Sequence, residues 1–171
     1  CCKNPVAGRC LRRKVNSTGE PVVVLMRACL DTPVARHGML IGEVLRICWD
    51  KDVPGIPFAA DSGRIIGRFS VRNVFLHYSI PSDMIKGAHL IGHEAFHLDL
   101  SSDHYEEVFR RAIDNTILDD AACLASTAQI TKAMALMEKF NSSYLFVIDE
   151  GEYRGVVTRL GLTRVLLDEQ G

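Results

Sequence analysis

The sequence predicts a mixed α/β (α+β) fold in which two similar units pack against each other, with a helical insert between them. Three observations favour this fold: a long-range repeat, apolar runs of strand length on both sides of a glycine turn in each copy, and apolar residues at helical spacing around each hairpin. Because one such unit leaves an apolar face uncovered, the two copies are expected to share one core.

The repeat is clearest around the two turns. Residues 61–70 read DSGRIIGRFS and residues 149–158 read DEGEYRGVVT, so an aspartate, two glycines and a final hydroxyl residue recur 88 residues apart. The same spacing aligns the apolar run at 58–60 with the one at 146–148. Apolar runs of this length before an Asp-x-Gly turn are typical of strands. Each copy therefore predicts a strand, a tight turn and a second strand.

Helical spacing surrounds both hairpins. Before them, apolar residues recur at steps of three and four, which is typical of an amphipathic helix. These residues are Ile41, Val44, Leu45, Cys48 and Trp49 in the first unit and Ile130, Ala133, Met134 and Met137 in the second. Ser126 is a suitable N-cap for the second of these helices. After Ser70 and Thr158, which end the hairpins, a further helix is predicted in each unit. A short apolar segment also precedes each unit, at 29–34 and 121–124.

The repeat divides the chain into four parts: an N-terminal tail at 1–21, a first unit at 22–76, an insert at 77–111 and a second unit at 112–168. The insert is predicted to be helical because apolar residues recur in it at alternating steps of four and three. These are Met84, Ala88, Ile91, Ala95 and Leu98. A second insert helix is predicted at 105–111, with Ser101 or Ser102 as its cap.

The composition of the 171 residues is that of an ordinary globular protein. With 20 basic and 21 acidic residues the net charge is −1, which argues against nucleic acid and membrane surfaces as partners. No apolar run suggests a membrane span or a signal peptide, so a cytoplasmic location is expected. The six cysteines form no Cys-x-x-Cys pair, and Cys48 and Cys123 are expected to be buried thiols.

A family resemblance rests on the two hairpins. Residues 56–70, IPFAADSGRIIGRFS, resemble the signature of the cystathionine β-synthase (CBS) domain, in which an apolar-Pro strand leads through an acidic-Gly turn to a Gly-x-x-Ser/Thr strand end. Residues 144–158 resemble it too, with Leu145 in place of the proline. The resemblance implies a Bateman module: two β-α-β-β-α motifs with pseudo-twofold symmetry, which usually dimerise through the motifs and bind adenosyl compounds in two clefts.

The resemblance also implies which residues bind the ligand. Ser70 and Thr158 match the family's Ser/Thr that contacts ribose or phosphate, and a hydroxyl that opens a helix lies beside N–H groups suited to an anion. Arg72 and Arg159 follow these hydroxyls closely enough to neutralise a phosphate. The adenine pocket of the family is lined from strands that here carry Ile56, Phe58, Tyr144 and Phe146.

The two clefts are not expected to be equal. Three residues after the hydroxyl, ligand-competent copies usually carry an Asp that holds the ribose diol, whereas this sequence has Asn73 and Gly161. Because an Asn side chain still donates and accepts hydrogen bonds, the first cleft is the better candidate. The alternative for both hydroxyl residues is helix capping without a ligand.

A rival pattern lies in the insert. The residues His93, Glu94 and His97 form an H-E-x-x-H, in which two imidazoles at i and i+4 would bind zinc and the Glu would act as general base. Leu100 and Asp103 replace the Gly and His of the extended metzincin pattern, and no spacing selects a third ligand. Histidines at the surface or an interface are the preferred interpretation, and a zinc metalloprotease is the distant alternative.

No phosphate loop, dinucleotide fingerprint or hydrolase elbow is present, so the sequence predicts a protein that is not an enzyme. The preferred function is a regulatory, allosteric sensor that binds AMP, ADP, ATP or a similar adenosyl compound, with no required cofactor. It would act through a homodimer interface or an unknown effector protein. The alternative is a structural dimerisation module without a ligand.

Overall fold

The structure is a computed structural model and describes residues 25–80, 85–87 and 102–168. The predicted tail at 1–21 lies outside the described residues. So do His93, Glu94 and His97 and most of the first predicted insert helix. The division of the chain into 22–76, 77–111 and 112–168 stays a prediction.

Both units have the predicted order of strand, helix, strand, strand and helix. The first contains β1 (Cys29–Leu30), α1 (Ile41–Asp50), β2 (Gly55–Ala59), β3 (Ile65–Ser70) and α2 (Val71–Tyr78). Helix α3 (Ser102–Phe109) follows, near the second predicted insert helix. The second unit contains β4 (Cys123–Leu124), α4 (Ile130–Lys139), β5 (Tyr144–Asp149), β6 (Glu152–Thr158) and α5 (Arg159–Asp168). Short 3-10 helices cover Leu25–Ala28 and Ile113–Thr116. The fold is therefore the mixed α/β arrangement that the repeat predicts.

The strands form two sheets. Strands β2 and β3 make an antiparallel pair, and a four-stranded sheet has the order β1-β6-β5-β4 with only β4 and β5 parallel. Strand β1 belongs to the first unit in sequence but pairs with β6 of the second. Conversely Leu118, near the start of the second unit, exchanges two backbone hydrogen bonds of 2.8 and 2.9 Å with Arg68 on β3. Each sheet thus gains an edge segment from the other unit.

The spacing between the two units changes at the hairpin turn. Helices α1 and α4 begin at Ile41 and Ile130, which are 89 residues apart. The turn glycines Gly63 and Gly151 are 88 residues apart and share a left-handed backbone, with φ of 82° and 85°. One additional residue in the first turn accounts for the difference, so the constant spacing of 88 predicted from the sequence holds only from the turn onward.

This shift changes which strand residues correspond. Gly55 pairs with Ser70 in the first hairpin, and Tyr144 pairs with Thr158 in the second. Tyr144 is therefore equivalent to Gly55, and the sequence alignment of the first strands is wrong by one residue. By the same register Ile56 and Phe58 correspond to Leu145 and Val147, and not to Tyr144 and Phe146.

The core has two parts that meet at β5. Side chains alternate between the two faces of a strand. Accordingly Tyr144 and Phe146 pack into the cluster formed by the first unit, whereas Leu145 and Val147 pack with the helices of the second. Strand β5 is therefore buried on both faces, and its aromatic face joins the units.

Three expectations from local pattern are wrong. Cys48 is buried as predicted, but Cys123 on the edge strand β4 is exposed. Trp49 has the predicted helical spacing but is 85% exposed, because the buried stripe of α1 is Ile41, Val44 and Cys48. The N-cap of α4 is Gln129, and the N–H of Ser126 instead donates to the Asp149 carboxylate (2.9 Å).

A polar contact ties the loop after β1 to the second 3-10 helix. The His37 Nδ1 atom lies 2.6 Å from an Asp114 carboxylate oxygen, and the Gly38 N–H donates to the other oxygen (3.2 Å). The His37 contact is the main cause that holds the pKa of Asp114 below its ordinary value. A carboxylate with a lowered folded-state pKa stabilises the fold above the ordinary carboxyl pKa, and this stabilisation is lost as pH falls through the folded-state pKa.

Asp114→Asn is therefore expected to lower Tm at pH 7 by about 2 °C, and the difference should shrink below about pH 4. Thermal unfolding of both proteins between pH 7 and pH 3 tests this. Asp119→Asn, which removes an exposed carboxylate five residues away, should leave Tm nearly unchanged. A Tm difference that is the same at pH 7 and pH 3 would contradict the assignment.

Candidate functional site

The hydroxyl of Ser70 lies at the boundary between the units. Ser70 ends β3 and precedes the first turn of α2, but its side chain makes no capping hydrogen bond. It is 6% exposed and lies beside the phenol of Tyr144, from the second unit, whose O–H donates to the carbonyl oxygen of Phe69 at 3.3 Å. Burial raises the pKa of that phenol, and the nearby Arg68 guanidinium and Ser70 hydroxyl act in the opposite direction. The first-unit hydroxyl thus faces the second unit instead of its own helix.

Thr158 behaves differently from Ser70. Its hydroxyl oxygen accepts a 3.0 Å hydrogen bond from the N–H of Gly161, three residues into α5. This is the geometry of a helix N-cap. A Cβ on Gly161 would lie 3.1 Å from the carbonyl oxygen of Ala28, so the glycine lets that backbone approach closely. The capping alternative weighed for both hydroxyl residues therefore describes Thr158 and not Ser70.

Asn73, the expected ribose-binding residue of the first cleft, is half-buried on the first turn of α2. Its side-chain amide donates a 2.8 Å hydrogen bond to the carbonyl oxygen of Thr116. The 3-10 helix at the start of the second unit therefore fixes the orientation of this side chain, which leaves the amide oxygen as an acceptor.

Arg68 is a site residue that sequence reasoning missed. Its guanidinium donates to both carboxylate oxygens of Asp120 (3.0 and 3.2 Å), to the Asp120 carbonyl oxygen (2.9 Å) and to the Tyr144 phenol (3.3 Å). It also lies over the Tyr144 ring, 5.6 Å from the centroid. The signal in the sequence was an arginine inside an otherwise apolar strand, whereas nothing local marks Asp120.

The four residues assigned to the adenine pocket are all in the core. Ile56, Phe58, Tyr144 and Phe146 are each at most 4% exposed and belong to one cluster. The rings of Tyr144 and Phe146 meet edge to face with centroids 5.6 Å apart. Gly55 leaves the space for Tyr144, because a Cβ there would lie 2.4 Å from the phenol oxygen. The structure brings these residues together at the unit boundary, but with their side chains buried.

A surface groove lies beside this boundary, between α1 and α2 on one side and α5 on the other. It contains three of the predicted site residues: Arg72, Thr158 and Arg159. The Arg159 guanidinium is ion-paired with Glu138 and donates to the Ser142 carbonyl oxygen (3.3 Å). Large exposed apolar side chains also line the groove, namely Trp49, Phe75 and Leu160. The first turns of α2 and α5 therefore open into the same groove.

Within 25–80, 85–87 and 102–168, no cluster of three His, Cys, Asp or Glu side chains could hold a metal ion. Over the same ranges, no helix is both long and apolar enough to cross a membrane. The H-E-x-x-H residues fall in the gap between these ranges, so the zinc interpretation stays a prediction.

Residues 113–168 match the family profile of the CBS domain. Solved structures with similar folds are CBS-domain proteins. One is a CBS-domain-containing protein from Kribbella flavida, with a TM-score of 0.59 and 14% identity over 84% of this chain and 97% of the other. The chain folds as a tandem CBS pair. A CBS-domain-containing protein from Agrobacterium tumefaciens is also similar, with a TM-score of 0.56 and 12% identity over 83% of this chain and 89% of that one.

One of the solved CBS proteins, CBSX2, is a complex with AMP, and it has a TM-score of 0.58 and 14% identity over 88% of this chain and 98% of that one. No curated protein matches the sequence. In the CBS pair described here, Ser70, Asn73 and Arg68 belong to the first CBS domain, and Tyr144, Thr158 and Arg159 to the second.

Proposed function

We propose that this CBS pair is a regulatory module that binds an adenosyl compound at the boundary between its two CBS domains. The observation that carries the proposal is the Ser70 hydroxyl, which opens α2, is not used as a helix cap and faces the second domain. A hydroxyl and backbone N–H groups at a helix start suit a ribose or phosphate oxygen. The complex of CBSX2 with AMP supports the ligand class.

The ligand would contact both domains. Ser70 and Asn73 would hold the ribose of the ligand in the cleft of the first domain. Arg72 and Arg159, which line the groove, would face the anionic groups of the ligand. The base would bind beside the four buried apolar residues of the boundary. Because those side chains are packed against one another in the core, inserting a base must change how the two domains pack. Binding would thereby favour a different relative orientation of the domains, which is the signal passed on.

Titration calorimetry with AMP, ADP, ATP and S-adenosylmethionine tests the function. We expect at least one compound to bind, and Ser70→Ala to weaken its binding about fivefold, since one hydrogen bond of this kind contributes roughly 1 kcal/mol. Ser62→Ala, which removes an exposed hydroxyl at the turn of the same hairpin, should leave affinity unchanged. Absence of heat and of any rise in Tm with all four compounds at millimolar concentration would contradict the sensor function.

A specific observation also favours the alternative, a dimerisation module without ligand. Trp49 and Leu160, on opposite sides of the groove, are 85% and 79% exposed. Large apolar side chains that are exposed on both sides of one groove are typical of an interaction site. A second copy of the chain would cover these side chains through the helices of the CBS domains. Light scattering that shows a dimer unchanged by every tested ligand would favour this alternative over the sensor.

A further inference from the structure

The polar cluster around Arg68 extends the proposed function, on which this inference rests. Two guanidinium nitrogens donate in parallel to the two carboxylate oxygens of Asp120, at 3.2 Å from Nε and 3.0 Å from Nη2. This fork is the geometry in which arginine recognises either a carboxylate or a phosphate. The same guanidinium could therefore accept a phosphate in place of Asp120 without changing its own conformation.

The Arg68 and Asp120 side chains differ in how easily they can move. The Arg68 side chain is 13% exposed, while that of Asp120 is 51% exposed. Arg68 is held by its strand, by the backbone hydrogen bonds to Leu118 and by the Tyr144 phenol. Asp120 lies in the segment between Leu118 and β4. Its carboxylate can rotate into water, where solvation compensates for the lost ion pair. An incoming anion would consequently displace the carboxylate and leave the arginine in place.

Arg68 is also next to the proposed ligand position. Its Nη1 atom donates to the Tyr144 phenol oxygen at 3.3 Å, and the Ser70 hydroxyl lies beside the same phenol. Arg68 and Ser70 are two residues apart on β3, so their side chains point to the same face of the strand. A ligand whose ribose contacts Ser70 would have its 5′ substituent within reach of Arg68.

We propose that Arg68 is the residue that selects phosphate-bearing adenosyl ligands in the first cleft, and that Asp120 occupies it when the ligand is absent. Asp120 then competes with the phosphate but not with an uncharged 5′ substituent. The carboxylate lowers the affinity for nucleotides and leaves the affinity for neutral adenosyl compounds unchanged. The charge at position 120 thus sets which ligands the module prefers.

The test compares AMP with 5′-methylthioadenosine, which has an adenosyl group but no phosphate. Calorimetry is run on the full chain and on Asp120→Asn, Arg68→Gln and Asp119→Asn. Asp119→Asn is the matched control, because it changes the net charge by the same amount one residue away. We expect Asp120→Asn to tighten AMP binding about threefold to tenfold, which is the range for a partly exposed charged pair. Arg68→Gln should weaken AMP binding by a similar factor. Neither Asp120→Asn nor Arg68→Gln should change the affinity for methylthioadenosine.

Several outcomes would overturn the inference. If AMP and methylthioadenosine bind but Asp120→Asn changes both equally, or no more than Asp119→Asn does, the selection by Arg68 is wrong and the sensor function stands. If neither compound binds to any of the four proteins, the inference fails, and the sensor function fails with it only when ADP, ATP and S-adenosylmethionine also give no heat. Circular dichroism of each variant checks folding. If Arg68→Gln does not fold, the test rests on the ratio of the AMP and methylthioadenosine affinities in Asp120→Asn.

Discussion

Gly155→Ala is expected to destabilise the chain by about 3 kcal/mol. The alanine would have to adopt a backbone conformation with positive φ, and its Cβ would overpack a contact with β1. Gly155 lies in β6 with φ of 145°, a conformation that residues with a Cβ rarely adopt. A Cβ there would lie 2.4 Å from the carbonyl oxygen of Leu30 and 2.6 Å from the sulfur of Cys29. Since β1 is fixed to β6 by backbone pairing, it cannot move aside without losing the one strand partner that it has among the described residues.

Urea unfolding followed by circular dichroism measures this loss. Gly151→Ala is the matched control, because Gly151 also has a positive φ, of 85°, but nothing lies within 4 Å of its added Cβ. That variant should lose only about 1 kcal/mol. Equal losses of stability in the two variants would show that the close approach of β1 to β6 contributes nothing to the effect of Gly155→Ala.

Phe146→Ala is expected to destabilise the chain by about 3 to 5 kcal/mol. The Phe146 side chain is 1% exposed and packs from the second CBS domain into the core of the first. It meets the ring of Tyr144 on one side and that of Tyr153 on the other, with centroids 5.6 and 6.2 Å away. Alanine would leave a cavity at the point where the two domains join.

The same unfolding experiment, performed with two probes, distinguishes a joint core from two separate ones. Labelling of the buried Cys48 thiol reports on the first domain, and circular dichroism reports on the whole chain. We expect both transitions to shift together in Phe146→Ala, since the removed ring contacts both domains. Leu167→Ala is the control: its side chain is 64% exposed on α5, and the change should stay within about 0.5 kcal/mol. A shift confined to one probe would contradict a shared core.

Local pattern was sufficient to predict the order of elements. The glycine turns and helical spacings are short-range signals, and they placed α1, α4 and both hairpins within a few residues. Local pattern did not fix the exact alignment of the repeats, because an additional residue in the first turn is invisible to a comparison without gaps. Phe58 and Phe146, equivalent in sequence, therefore lie on different faces of their strands.

The candidate site was predictable only in part. Ser70 and Thr158 occupy the same place in the repeat. Ser70 nevertheless faces the second domain, whereas Thr158 caps a helix of its own domain. Sequence equivalence could not separate these roles, because they depend on what packs opposite each hydroxyl. The Arg68 and Asp120 pair was missed for a related reason: its members are 52 residues apart and meet only when the segment before β4 crosses β3.

The exchanged edge segments determine when the molecule can finish folding during synthesis. Val157 leaves the ribosome about 130 residues after its partner Cys29, a delay of roughly 6 to 25 seconds at usual rates of translation. Until then β1 has no sheet to join, and β3 likewise waits about 50 residues for Leu118. A protein cut between the two domains would leave each half without one of its sheet edges, so neither half is a complete folding unit.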